Sequence, residues 1–222
     1  MIELRDGTKK YNSNVVFEDA SLAIEPGTYY TLTGPNGSGK STLMNCLLRQ
    51  EELTAGELLL NGKSVTAQNR DYAEQIFGIN DSIGWLPGLT IGQHLNLLFD
   101  NALPLPNPLN TELFTPRQAL EELGVPQAFD RQPYTLSSGQ EQRSRLASLL
   151  VRPAVFYFLD EPEKRLDAAG VQWIRNWAIA RVAEGAAVCI ATHDEVLNAV
   201  PDVVSLRFPL NDSSTVKDDA GE

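Results

Sequence analysis

Along this chain, short apolar runs that suit buried strands alternate with longer stretches whose apolar residues recur every three or four positions, as on one helix face. That alternation predicts an α/β protein with a largely parallel sheet. The opening differs. Ile2 to Leu4, Val15 to Ile24 and Tyr29 to Thr33 are separated only by turn signals, among them "EPG" at Glu25 to Gly27, so an antiparallel β layer is expected at the N-terminus. "GELLLNGKSV" adds a hairpin turning at Asn61-Gly62, a residue pair that tolerates the positive φ of a two-residue turn. From about residue 87 to 135 the pattern turns helical and Pro-rich. "LPLPNPLN" at 103–110 interrupts the chain, and "TPRQALEELG" carries Pro at a first helical position and Gly at a stop. This stretch is expected to be a small α-helical insertion within a single domain spanning 1–222. Beyond it the pattern predicts a helix through Leu150, a strand at Val155 to Leu159, a helix over about Asp167 to Glu184 and a strand at Ala187 to Ala191. The end, "NDSSTVKDDAGE", is polar and acidic and is expected to fray.

Composition narrows the function classes. The 222 residues are 42% hydrophobic, enough for a full core, and 18 basic against 29 acidic side chains leave a formal charge of −11. Such a balance offers no overall basic field for a nucleic-acid backbone, so no nucleic acid is expected as partner. The longest apolar runs, such as "VFYFL", fall far short of the ~20 residues that a membrane span needs. "MIELRDGTKK" lacks the apolar core of a signal peptide, which predicts a cytoplasmic protein. Cys46 and Cys189 lie among apolar neighbours, without a second Cys or a His at metal-ligand spacing, and read as reduced core thiols.

The candidate chemistry starts at "LTGPNGSGKST". Gly34, Gly39, Lys40 and Ser41 fall at the spacing G-x-x-x-x-G-K-[ST], with a strand before and a helix after. In Gly34-Pro35-Asn36-Gly37-Ser38-Gly39 the glycines allow backbone N–H groups to curl around phosphates. Lys40 then reaches the β and γ phosphates, and Ser41, beside Thr42, can ligate magnesium. Downstream, "VFYFLDEP" ends a buried strand in two carboxylates, at the sheet edge where ligands bind in open parallel sheets. Asp160 is placed to hold magnesium through water, and Glu161 to act as general base on an attacking water. His193 repeats this geometry after "AVCIATHD", where it can bond the γ-phosphate and orient the water. The other histidine, His94 in "TIGQHLNLL", reads as a surface residue of an amphipathic helix. "LSSGQEQ" at Leu136 to Gln142 is a second anion site in form, because a Ser-capped helix start directs unsatisfied N–H groups outward.

Taken together these residues resemble the ATP-binding subunit of an ABC transporter, in the family's order and over essentially the whole chain. Gly34 to Thr42 matches its Walker A loop, "LSSGQ" its signature motif, "VFYFLDE" its Walker B strand with catalytic glutamate, "RLD" at Arg165 to Asp167 its D-loop, and His193 its switch histidine. Tyr11 stands where the family has an aromatic that stacks on adenine. The resemblance implies a P-loop NTPase core, ATP and magnesium as ligands, and a homodimer or heterodimer of two cassettes. In that pair Ser137, Ser138, Gly139 and Gln140 of one subunit close over the ATP held by the other. It further implies separate transmembrane permease subunits, and a place on the cytoplasmic face of the membrane.

Three departures from the family pattern stand out. Ser138 replaces a second signature glycine. The loop after "IFGI", which in the family carries a magnesium-ligating Gln, offers Asn80, with Asp81 as the alternative register. Asn is one methylene shorter than Gln. "KRLD" stands where small residues are common before the Leu-Asp of the D-loop. The implied function is ATP hydrolysis that powers transport of an unspecified cargo. The alternatives are a soluble regulatory ABC-type ATPase and a degenerate half-site in a heterodimer.

Overall fold

The computed structural model describes residues 1–66, 69–81, 84–102, 113–209 and 215–217. The N-terminal layer forms first. Strands β1 (Ile2–Tyr11) and β2 (Asn14–Ile24) pair antiparallel, and β1 also pairs with β4 (Ala55–Leu60), which turns at Asn61-Gly62 into β5 (Lys63–Ser64). Among the described residues this sheet has the order β2-β1-β4-β5. β1 runs further than its apolar start suggests, because bulges between Leu4 and Lys10 re-aim it while pairing continues to Tyr11.

The second sheet has the order β10-β9-β3-β8-β7-β6 among the described residues. It comprises β3 (Tyr29–Thr33), β6 (Ile76–Ile79), β7 (Phe156–Asp160), β8 (Ala187–Ala191), β9 (Val204–Arg207) and β10 (Thr215–Lys217). β9, β3, β8, β7 and β6 are parallel neighbours; β10 adds antiparallel to β9. The expected α/β class, a mostly parallel sheet with an N-terminal antiparallel layer, is the observed one. β7 and β8 are buried at almost every position, which is why they read as continuous apolar runs rather than as alternating ones.

Helix α1 (Lys40–Leu47) starts at the end of the phosphate loop. It buries Leu43, Met44, Cys46 and Leu47 together with Lys40 and Asn45, so the core surrounds it. α2 (Arg70–Gln75) precedes β6. α3 (Ile91–Asp100), α4 (Pro116–Glu122) and α5 (Ser138–Val151) pack on one another. α3 and α4 open with complete capping boxes, Thr90 with Gln93 and Thr115 with Gln118. α6 (Ala168–Ala183), capped by Asp167, and the short α7 (Glu195–Asn198), capped by Asp194, complete the chain order around β8. Both cysteines are free and buried, and burial pushes the Cys46 thiol up to about 11 and that of Cys189 up to about 12.

Two expectations need correction. His94 is buried, not a surface residue: its ring meets Trp85 edge-on at 5.0 Å and its Nε2 lies 3.1 Å from the Leu86 carbonyl. The apolar face of α3 includes it because Trp85 and Leu86 fold back over that helix. The tail does not simply fray, since Thr215–Lys217 pairs with β9, while the rest of the acidic end lies outside the described residues, as does the Pro-rich stretch 103–110.

Candidate active site

The phosphate loop joins β3 to α1 and is shaped by its glycines. At Gly34 φ is 147°, and a Cβ would stand 2.3 Å from the Phe208 carbonyl; at Gly39 φ is 104°, and a Cβ would stand 2.8 Å from Val16. Neither position admits a side chain, on grounds of conformation and of space. Ser38 N–H donates to the Pro35 carbonyl at 3.2 Å and closes the turn. Lys40, 6% exposed, lays its ammonium against the Gly34 and Pro35 carbonyls at 2.7 and 3.0 Å. A buried ammonium needs acceptors, and this loop supplies them until an anion competes.

Around this loop lies a cavity of about 450 Å³ lined by Asn36, Gly37, Gly39, Lys40, Ser41 and Thr42, and on its far side by Glu161 and Lys164. β7 ends here because Asp160 and Glu161 succeed its last buried residue. The Ser41 hydroxyl lies beside Asp160, whose Oδ1 is buried and has no hydrogen-bond partner among the described residues. An orphaned carboxylate oxygen beside a hydroxyl fits a hard, oxygen-preferring cation such as magnesium.

Burial pushes the Asp160 carboxyl above the usual aspartate range, with the Ser41 hydroxyl opposing and the Glu161 charge reinforcing the shift. A carboxyl that holds its proton more tightly when folded costs stability once ionised. Its contribution therefore falls as pH rises from the unfolded range through the raised folded one. Asp160→Asn is accordingly expected to raise the melting temperature of the nucleotide-free chain by about 2–4 °C, equivalent to about 1 kcal/mol, while removing magnesium-dependent hydrolysis. Calorimetry without nucleotide checks this, and a lowered melting temperature contradicts it.

Glu161 adopts φ 46°, left-handed for a non-glycine, and its N–H donates to Ala191 O on the next strand at 2.8 Å. His193 follows β8, exposed, and does not line the cavity. Thr192 before it hydrogen-bonds Glu163, whose carboxyl is pushed up by burial, so the loop of His193 is tied to the segment after Glu161.

Tyr11, at the end of β1, is 45% exposed. Its hydroxyl donates to Glu51 and lies near Thr42, which places the ring beside the phosphate loop. Asn80 is buried, and its amide nitrogen donates to Asn45 at 2.8 Å and Gln50 at 2.9 Å. It does not line the cavity. Asp81, the other register, is exposed and stands 3.9 Å from Lys164 at the site's edge.

"LSSGQ" forms the start of α5. Ser137 caps it, accepting from Gln140 N–H at 3.3 Å while the Gln140 side chain accepts from Ser137 N–H at 3.1 Å. Ser137 and Ser138 are exposed, and Gly139 and Gln140 partly so. None of the four lines the phosphate-loop cavity of its own chain. Sequence reasoning missed Lys164 as a neighbour of Glu161; the unusual "KR" before Leu166-Asp167 was the available signal.

Residues 17–164 match the family described as ABC transporter. The macrolide export ATP-binding/permease protein MacB of Marinobacter nauticus is 29% identical over all of this chain, which spans 35% of MacB's length. The SkfA peptide export ATP-binding protein SkfE of Bacillus subtilis is 27% identical, covering 93% of this chain and 85% of SkfE. The glutamine transport ATP-binding protein GlnQ of Geobacillus stearothermophilus is 30% identical, covering 87% and 81%. Among solved structures, a dimeric bacterial ABC transporter cassette superposes with a TM-score of 0.76 at 24% identity, over 93% of this chain and 94% of its own. The same cassette in a post-hydrolysis state bound to ADP and phosphate gives 0.76 at 22%. A phosphate loop, a strand ending in Asp-Glu and a capped signature helix thus occur in one fold with these relatives, and the chain belongs to the ABC transporter family as an ATP-binding cassette ATPase.

Proposed function

We propose that this chain binds ATP with magnesium and hydrolyses it as one of a pair of cassettes, and so powers transport through separate permease subunits. The observation that carries the reading is the convergence of Lys40, Ser41 and Glu161 on one cavity at the carboxyl ends of β3 and β7, with the buried Asp160 directly behind Ser41. Backbone N–H groups of the loop and Lys40 bind the phosphates, Tyr11 flanks the adenine, and Ser41 and Asp160 hold the metal. Asn80, bonded to Asn45 in the second half of α1 and outside the lining of the cavity, is a third candidate metal ligand only by the family's amide position, acting through water. Magnesium, when bound, supplies charge neutralisation on the terminal phosphates. Glu161 takes the proton of the attacking water. The new P–O bond forms as the bond to the β-phosphate oxygen breaks, giving ADP and phosphate. His193 orients the γ-phosphate once its loop closes on the site.

A lone cassette leaves Ser137, Ser138, Gly139 and Gln140 facing outward, which supports their pairing with the nucleotide of a second cassette, identical or related. Among the described residues no helix is long and apolar enough to cross a membrane, so the transport path is assigned to other subunits or segments, with this domain on the cytoplasmic face. The groove for such a partner lies between α2, β6 and α3. It is a cavity of about 470 Å³ lined by Tyr72, Phe77, Trp85, Leu86, Leu97 and Leu98, with Leu86 55% exposed. Trp85 donates to Glu141 at 3.1 Å, which ties the groove to the signature helix.

Trp85→Ala is expected to lower permease-stimulated turnover at least about 5-fold while leaving ATP affinity within about 2-fold, as loss of one buried aromatic at an interface does. Copurification with a permease and ATPase assays with and without it test the reading. Unchanged assembly and unchanged stimulation would refute it.

A further inference from the structure

Lys164 sits in the cavity of the phosphate loop, and its ammonium pairs with the carboxylate of Glu161. We propose that Lys164 is a brake on hydrolysis: it holds the Glu161 carboxylate, and the segment that carries it must shift before Glu161 can take a proton from water. This rests on the reading of Glu161 as general base. Lys164 acts through that carboxylate and is therefore a positioning residue.

The local geometry builds the contact. Glu161 is fixed from the sheet side by its bond to Ala191 O, and its left-handed φ starts a turn. Lys164 N–H then donates back to the Glu161 carbonyl at 3.2 Å, which returns the lysine over the same residue. Asp81, at 3.9 Å, adds a second carboxylate that favours the cation there. A carboxylate oxygen engaged by an ammonium is a poorer proton acceptor, because each proton gained by it must displace that charge-assisted bond. The Lys164 side chain is 53% exposed, so water screens the pair and it is weak enough to release.

The same segment is tied to the signature helix. Gln142 Nε2 donates to Pro162 O at 2.7 Å, Arg143 pairs with Asp167 at 2.6 Å, and a Cβ on Gly139 would lie 3.2 Å from Arg165 O. Residues 162–167 therefore follow the first turns of α5. When Ser137 to Gln140 engage the nucleotide of a second cassette, that motion draws Lys164 off Glu161. Each site would then release its own base only when its signature has captured the partner's ATP.

The test compares wild type, Lys164→Ser, Lys164→Arg, Glu161→Gln and the double variant Glu161→Gln with Lys164→Ser, all as the purified full chain with ATP and magnesium. Lys164→Ser should raise kcat about 3- to 5-fold with KM for ATP unchanged, the range expected for losing one screened ion pair. Lys164→Arg, which keeps the cation, should stay near wild type. In the Glu161→Gln background the serine should change nothing. A readout without nucleotide is the lysine ammonium NMR signal that vanishes in Lys164→Ser, which should shift in Glu161→Gln. A lowered or unchanged kcat, a raised KM, an equal gain in the double variant or an unshifted ammonium signal would each overturn the brake. A raised KM would make Lys164 a phosphate ligand instead. Failure of the ATPase reading itself would look different: wild type and Lys40→Ala would bind ATP equally.

Discussion

Lys40→Ala is expected to weaken ATP binding by about 150- to 25,000-fold and to stop hydrolysis. The variant removes the buried charge for the β and γ phosphates, and two charge-assisted bonds contribute about 1.5–3 kcal/mol each. The Gly34 and Pro35 carbonyls, which Lys40 satisfies in the nucleotide-free chain, are left to water. A second effect follows, since the loop loses its own brace and the N–H cradle becomes less ordered. Fluorescent-nucleotide titration measures the affinity, and the melting temperature without nucleotide shows whether the fold survives. Wild-type affinity and turnover in a folded variant would remove Lys40 from the site.

Glu161→Gln should bind ATP with magnesium at near wild-type affinity while hydrolysing about 100- to 10,000-fold more slowly, because an amide cannot take the water's proton. ATP then persists, and two chains, or this chain and a related cassette, should remain closed around it. Light scattering should report a dimer with ATP and magnesium and a monomer with ADP. Ser137→Arg in that background should abolish the dimer by filling the surface where a partner's γ-phosphate would sit. It also removes the cap of α5, at a cost of about 1 kcal/mol. Ser138→Arg separates the two effects, since the Ser137–Gln140 box stays intact. Dissociation by both substitutions assigns the motif to the interface. An unchanged dimer in both would mean that the signature helix caps only itself.

A glycine run with Lys-Ser between a strand and a helix dictates its own conformation, because the positive φ values and the helix start depend on residues a few positions apart. The same holds for the helix starts at Thr115-Pro116 and Ser137, and for Asp160 and Glu161 at the end of an apolar run. These features were legible in the sequence for that reason, and with them the phosphate loop, the carboxylate edge and the family. What lay beyond its reach depended on distant partners. His94 is buried because Trp85 and Leu86 cover α3, and no periodicity within the helix records that cover. The full length of β1 follows from pairing with β2 and β4 through bulges, which apolar counting does not register. Asn80 is committed to Asn45 and Gln50, some thirty residues away in sequence, so Asp81 rather than Asn80 stands at the edge of the cavity. The contact of Lys164 with Glu161 spans only three residues, yet it needs the left-handed turn that the Ala191 carbonyl imposes from the neighbouring strand. Short-range chemistry was thus set by the amino-acid order itself. The exposure of each group, and the partner that each charge meets, were decided by tertiary structure, because both depend on which distant segments the sheets bring together.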